Sequence, residues 1–156
     1  MEYSNQRKEL KVSAIENGTV IDHIPANSVF RATRILRLDK MENQVLVGTY
    51  LDSKKYGKKG IIKVSNTFFK DDEINKIALV APSATLIVIR DFKVVEKKQV
   101  EIPKKIEKIV KCVNPNCITN HENIPTKFDV MKNENGIYLT CLYCDKNTSK
   151  ENMVFL

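Results

Sequence analysis

The residues of this 156-residue chain best equipped for chemistry are its four cysteines, all beyond position 111: Cys112 and Cys117 flank Val-Asn-Pro-Asn, and Cys141 and Cys144 flank Leu-Tyr. Thiolates are preferred ligands of zinc. Two turn-borne pairs separated by a hairpin can close a tetrahedron around one ion, each Zn–S bond about 2.3 Å long. Four protein sulfurs leave no corner for water or substrate, so the pattern points to a structural ion and away from a catalytic one. A rubredoxin-type iron site and a pair of disulfides are the competing readings. Disulfides suit a secreted mini-protein, whereas this sequence opens Met-Glu-Tyr-Ser-Asn-Gln-Arg-Lys, with no apolar signal-peptide segment behind its basic residues. Four residues separate the first pair, and Pro115 among them suits a wide, stiffened turn.

A second set of polar residues is spread through the first two thirds of the chain. In Asp22-His23 a carboxylate able to accept from ribose hydroxyls stands beside an imidazole able to donate to phosphate, although the same pair also suits a plain polar turn. Lys63 interrupts the apolar run Ile61-Ile62-Val64, so its side chain either faces outward or is held to an anion at a sheet edge, and Lys97 poses the same choice. The formal charge of +7 favours anionic partners such as nucleotides, nucleic acid or an acidic protein surface, with ordinary solubilising lysine as the bland alternative. The lysines cluster at 54, 55, 58 and 59 and again at 93, 97 and 98. No glycine-rich phosphate loop with Lys-Ser/Thr, nucleophile elbow or His-Glu-x-x-His motif is present, so the chain does not read as an enzyme by itself.

The elements that must position these groups follow from periodicity. Residues 10–15 alternate as a half-buried strand, Asn17-Gly18 turns, and Thr19 to Ile24 is β-branched and apolar around Asp22-His23. Asn27 or Ser28 is placed to cap a helix through Val29, Ala32, Ile35 and Leu36 that ends near Asp39. Strands are predicted over 45–51 and 61–64 with a lysine loop between them. Asp71-Asp72-Glu73 then begin a helix running to Val80, and 86–89 and 92–95 are extended. Strand, helix, strand, strand, helix, strand is the split βαβ order of a ferredoxin-like α+β sandwich, with two helices on one face of an antiparallel sheet. Val100 to Ile106 reads as a linker, which divides the chain into domains at 1–103 and 104–156. In the second, a small all-β zinc domain, Asn133 to Gly136 signals a hairpin between 128–131 and 137–139, and the apolar end Met153–Leu156 is expected to complete its sheet or to meet a packing interface. A segment of about 50 residues is small enough for a metal to matter to its stability. No apolar run approaches the roughly 20 residues of a membrane span, so no membrane partner and a cytoplasmic location are expected.

Gly18-Thr-Val-Ile-Asp-His-Ile-Pro25, Ile62-Lys-Val-Ser-Asn-Thr-Phe68, Leu79-Val-Ala-Pro-Ser-Ala-Thr85 and the cysteine quartet, with four, twenty-three and two intervening residues, occur in that order over nearly the whole chain. Together they resemble the regulatory chain of aspartate carbamoyltransferase. The resemblance implies a non-catalytic subunit serving pyrimidine biosynthesis. Its ferredoxin-like domain would bind CTP as inhibitor and ATP as activator, and its zinc domain would dock on the catalytic chain. It also implies homodimers formed through the N-terminal domains, three of which bridge two catalytic trimers. Carried over by position, Ala14 and Ile15 would line the base pocket, Asp22 and Lys63 would meet ribose and base, Val94 would sit by the sugar, and Lys97 and His23 would face phosphates. Lys59 would serve the same anionic region or a second nucleotide, and Cys112, Cys117, Cys141 and Cys144 would hold one structural Zn2+. Ser13, Ile87 and Glu96 depart from the family's pattern and bear on the strength and sign of the nucleotide response. The alternative is a zinc-ribbon protein binding single-stranded nucleic acid, for which the lysine loop offers only Tyr56 as a stacking aromatic.

Overall fold

The computed structural model describes residues 14–55 and 57–156. Most of the predicted first strand, together with Ser13 and Tyr56, lies outside them, and Ala14 and Ile15 carry no regular structure. The β-branched run after Gly18 forms β1 (Gly18–Pro25), followed by α1 (Val29–Ile35), β2 (Val45–Ser53), β3 (Gly57–Ser65), α2 (Asp71–Asn75), β4 (Thr85–Arg90) and β5 (Lys93–Gln99). They build an antiparallel sheet in the order β2-β3-β1-β4-β5. The β1–α1–β2 connection skips over β3 and the β3–α2–β4 connection skips over β1, which makes the ferredoxin-like split βαβ pair. A turn through Asp91 and Phe92, both at positive φ, leads into β5 at the sheet edge, so the extended segment predicted at 92–95 starts one residue later and runs on to Gln99.

The helices cover one face of this sheet. Val29 and Ala32 of α1, with Ile74 of α2, pack on Ile21, Ile24, Ile62, Val64 and Leu86 to form the main core. Both helices are shorter than predicted. Arg37 turns left-handed at φ 53°, so the chain beyond Leu36 makes only a short 3-10 turn at Leu38–Lys40. The second helix tightens to 3-10 geometry over Lys76–Leu79, and Ile77, Ala78 and Leu79 are all buried because the first core takes Ile77 and Ala78 while the second core takes Leu79. The lysine loop also contracts: Lys58 and Lys59 belong to β3, and Lys54 and Lys55 form the turn.

Beyond Gln99 the predicted linker is shorter at both ends. Val100 is buried with the first core, and β6 (Lys105–Glu107) already pairs with β8 (Lys127–Asn133). The second unit contains a four-stranded sheet, β10-β9-β8-β6, in which β9 is Gly136–Cys141 and β10 is Asn147–Ser149. Glu134 and Asn135 make the expected hairpin turn between β8 and β9. The apolar end becomes β11 (Val154–Phe155), which pairs with β7 (Val110–Lys111) in a separate two-stranded sheet. Phe128, Leu139 and Ile106 of the larger sheet and Val110 of the smaller one form the core of the second unit. The two units share apolar cover, because Leu79 packs into the second core and Phe155 touches both. Among the described residues no helix is long and apolar enough to cross a membrane.

Candidate metal centre and charged sheet face

Strand alternation sends one set of side chains to the helices and the other to the open face of the sheet. On β3, Ile62 and Val64 go inward, so Lys59, Ile61 and Lys63 go outward. Register then lines up partners across the sheet: Lys63 opposes Val20, Val20 opposes Ile87, and Ile87 opposes Lys97. Ile89 opposes Val94 on the same face after a bulge in β5. Lys63 is therefore an interior, outward-facing lysine and not an edge one, while Lys97 occupies the edge strand β5. Ile15, Val20 and Ile61 form a small apolar floor on this face, joined by Leu51, Ile87 and Ile89.

A bulge in β1 between Ile21 and Ile24 places Asp22 beside that floor and turns His23 to φ 58°. Asp22 Oδ1 accepts from the His23 backbone N–H at 2.7 Å and from Lys59 Nζ at 2.7 Å. His23 Nδ1 lies 3.0 Å from Thr85 Oγ1. Burial lowers the Lys63 pKa below the ordinary lysine value, and the Asp22 charge opposes that shift. An apolar floor bordered by a held carboxylate, an imidazole and three lysines suits a flat, partly apolar ligand bearing negative charge. Of the residues singled out from sequence, the fold brings Ile15, Asp22, His23, Lys59, Lys63, Val94 and Lys97 to this side, with Ala14 next to Ile15. Sequence reasoning missed Thr85, the ring partner of His23, and the shared floor of Val20, Ile61 and Ile89. Period-2 alternation marks those apolar positions only once the strand order is known.

In the second unit the cysteines converge. All four Sγ atoms lie within 4.8 Å of one another, with Cys112 to Cys144 at 3.6 Å and Cys117 to Cys141 at 3.7 Å. A tetrahedron with 2.3 Å Zn–S bonds has edges of about 3.8 Å, whereas a disulfide needs about 2.05 Å. The cysteines are free thiols, so the disulfide alternative falls and the donor set fits zinc. Backbone N–H groups of Asn114, Tyr143, Cys144 and Lys146 point at the sulfurs. As a free thiol Cys112 is pushed up to about 12 by burial, against the Asn114 N–H. Burial also raises Cys144, but hydrogen bonds from the Asn114 side chain, the Lys146 N–H and the Cys112 and Cys141 thiols outweigh it and bring that group down to about 7. A dication replaces these competing protons and holds all four groups as thiolates.

Residues 10–101 match the family model described as the aspartate carbamoyltransferase regulatory chain, allosteric domain, and residues 104–154 match the model of its metal binding domain. The chain belongs to the aspartate carbamoyltransferase regulatory chain family. It is 48% identical to the regulatory chain of Phocaeicola vulgatus over 156 residues, which is all of both chains. It is 51% identical to that of Pyrococcus abyssi over 148 residues, 94% of this chain and 97% of the relative. As an aspartate carbamoyltransferase regulatory chain it is a non-catalytic subunit, in keeping with a metal centre whose four corners are all protein sulfur. The family's metal binding domain and the cysteine geometry together make that ion structural zinc.

Proposed function

We propose that this regulatory chain binds CTP and ATP on the open face of its first sheet and passes their effect to catalytic trimers of aspartate carbamoyltransferase in cytoplasmic pyrimidine biosynthesis. The observation that carries the reading is the gathering of Asp22, His23, Lys59, Lys63 and Lys97 around one apolar floor. A triphosphate carries several negative charges, and lysines arriving from separate strands are point-charge partners that accept different nucleotides. Asp22 serves the ribose, Val94 flanks the sugar, and the chain at Ala14 and Ile15 reads the base through backbone groups. Backbone reading gives a modest preference, which suits one site taking two nucleotides with opposite effects. Control then arises from the different affinity of each nucleotide for two quaternary states, a coupling of about 1–3 kcal/mol.

The zinc unit, residues 104–156, supplies the docking surface for the catalytic chain, and the first unit, residues 1–103, pairs with a second copy. Edge strand β2 supports the pairing, since among the described residues only β3 pairs with it and Val47 and Tyr50 stand exposed along it. Calorimetric titration of the zinc-loaded chain with CTP, ATP and an unrelated oligonucleotide tests the proposal. Saturable nucleotide binding that disappears in Lys63→Ala supports it. Uptake of the oligonucleotide alone, with steep salt dependence, overturns it in favour of nucleic-acid binding.

A further inference from the structure

The first cysteine pair spans four residues, and the segment directly after it folds back to hold that wide turn. Ile118–Asn120 forms one 3-10 turn starting from Cys117. From it Asn120 Nδ2 donates to the carbonyl of Cys112 at 3.0 Å and to that of Asn114 at 2.8 Å. His121 Nε2 reaches the carbonyl of Pro115 at 2.8 Å. Three carbonyls of the ligand-bearing turn are thus tied to two consecutive side chains. Within the turn, the Cys117 N–H bonds the Asn114 carbonyl at 3.0 Å and the Asn116 N–H bonds Asn114 Oδ1 at 3.1 Å. Thr119 Oγ1 lies 3.2 Å from Cys117 Sγ. A metal-bound thiolate has no proton to give, so across that contact the hydroxyl is the donor.

We infer that Thr119 and Asn120 are positioning residues of the zinc centre: Thr119 donates to the Cys117 thiolate, and Asn120 staples the Cys112–Cys117 turn so that both sulfurs stand ready for the ion. The inference rests on the zinc reading of the cysteines. The physical reason is that a turn of four residues has more backbone freedom than one of two, and without a staple the ordering cost falls on metal binding itself. A hydroxyl donating to a thiolate also withdraws electron density from the sulfur, fixes its lone pairs and tunes the metal–sulfur bond.

The test uses the full-length chain and reads the metal directly. Zinc release is followed with a chromogenic chelator at neutral pH, and the cobalt-substituted chain is examined for its thiolate-to-metal charge-transfer bands. Thr119→Val is expected to speed zinc release about tenfold or more, within the range for loss of an outer-shell partner, and to move the charge-transfer band to lower energy. Thr119→Ser is expected to restore both. Asn120→Ala is expected to speed release while leaving the charge-transfer band in place, because it touches carbonyls and no sulfur. Where valine disturbs the turn, Thr119→Ala removes the hydroxyl from this half-buried site with less steric change. Release within twofold of the parent in the Thr119 and Asn120 variants, with unmoved cobalt bands, overturns the inference. A parent chain that holds no stoichiometric zinc overturns the metal reading as well.

Discussion

Lys59 Nζ sits 2.7 Å from Oδ1 of Asp22, with both side chains partly withdrawn from solvent beside the apolar floor of the first sheet. The same oxygen accepts the backbone N–H of the residue that follows it. Asp22 is thus fixed by one cation and one amide before any ligand arrives, and Lys59 is held toward the open face instead of trailing into water. Pre-ordering of this kind removes part of the entropy cost of binding.

Replacing Asp22 by Asn keeps an acceptor for the His23 amide but removes the charge that holds Lys59. Hydrogen bonds to charged groups contribute about 1.5–3 kcal/mol, so affinity for a nucleoside triphosphate is expected to fall roughly 10- to 100-fold. Thermal stability is expected to move by about 1 kcal/mol or less, since the pair is only partly buried. Calorimetry and a melting curve on the same sample separate the two effects. Unchanged affinity would remove Asp22 from the site.

The lowered pKa of Lys63 makes a pH-dependent prediction. Burial penalises the ammonium in the folded chain, so between the folded pKa and the ordinary value of 10.5 the unfolded state binds more protons than the native state. Stability contributed by this group therefore rises with pH across that alkaline window. An anionic ligand stabilises the ammonium and returns its pKa upward, so nucleotide binding there is expected to take up protons. Titrations in two buffers of different ionisation enthalpy measure this uptake, and Lys63→Met should abolish it.

Removal of zinc should act on one unit before the other. Structural zinc contributes on the order of 10 kcal/mol to folding of small modules, and the sulfurs of Cys112, Cys117 and Cys141 lie within the second core. Chelation is expected to abolish amide protection from β6 to β11 while the five-stranded sheet survives, weakened where Leu79 and Phe155 lose their shared cover. Hydrogen exchange by mass spectrometry resolves the two regions. The catalytic partner should dissociate in step, and an intact complex after complete chelation would refute the docking role of this unit.

How much of this was readable in the sequence depended on how local the cause is. Cys112, Cys117, Cys141 and Cys144 announce their site because ligand chemistry and turn spacing are local properties. The strand and helix order also emerged, since the β-branched apolar runs of β1 and β3 and the acidic start at Asp71 need no tertiary information. The helix ends did not. The left-handed Arg37 and the 3-10 turn that buries Ile77, Ala78 and Leu79 together are imposed by packing against the sheet and the second unit. The side facing of Lys63 stayed open for the same reason, because alternation gives parity along one strand and only register across β1, β3 and β4 says which residues share a face. Thr119 and Asn120 carry no signal of their own in a polar stretch between ligand pairs.

A glycine on the helix side of β3 links this packing to the charged face. Gly60 pairs with Ile24 across the sheet, and a methyl group placed on it would overlap Cγ2 of Val29 in α1 and lie 3.3 Å from the Gly48 carbonyl. Val29 is fully buried, so neither side can yield without moving a strand or the helix. Overpacking of this sort costs about 1–3 kcal/mol, and Gly60→Ala is expected to lower the melting temperature by roughly 3–10 °C. Lys59 and Ile61 flank Gly60 and face the opposite side, so a displaced β3 also shifts Lys59 against Asp22 and should weaken nucleotide binding. Val29→Ala alone opens a cavity and destabilises. Combined with Gly60→Ala it supplies room for the added methyl, so the double variant should be more stable than the sum of the single effects by at least 0.5 kcal/mol, the scale of coupling between residues in contact. Recovery of nucleotide affinity in the double variant would show that the helix-to-strand contact at Gly60 sets the position of Lys59, and strict additivity in both measurements would refute it.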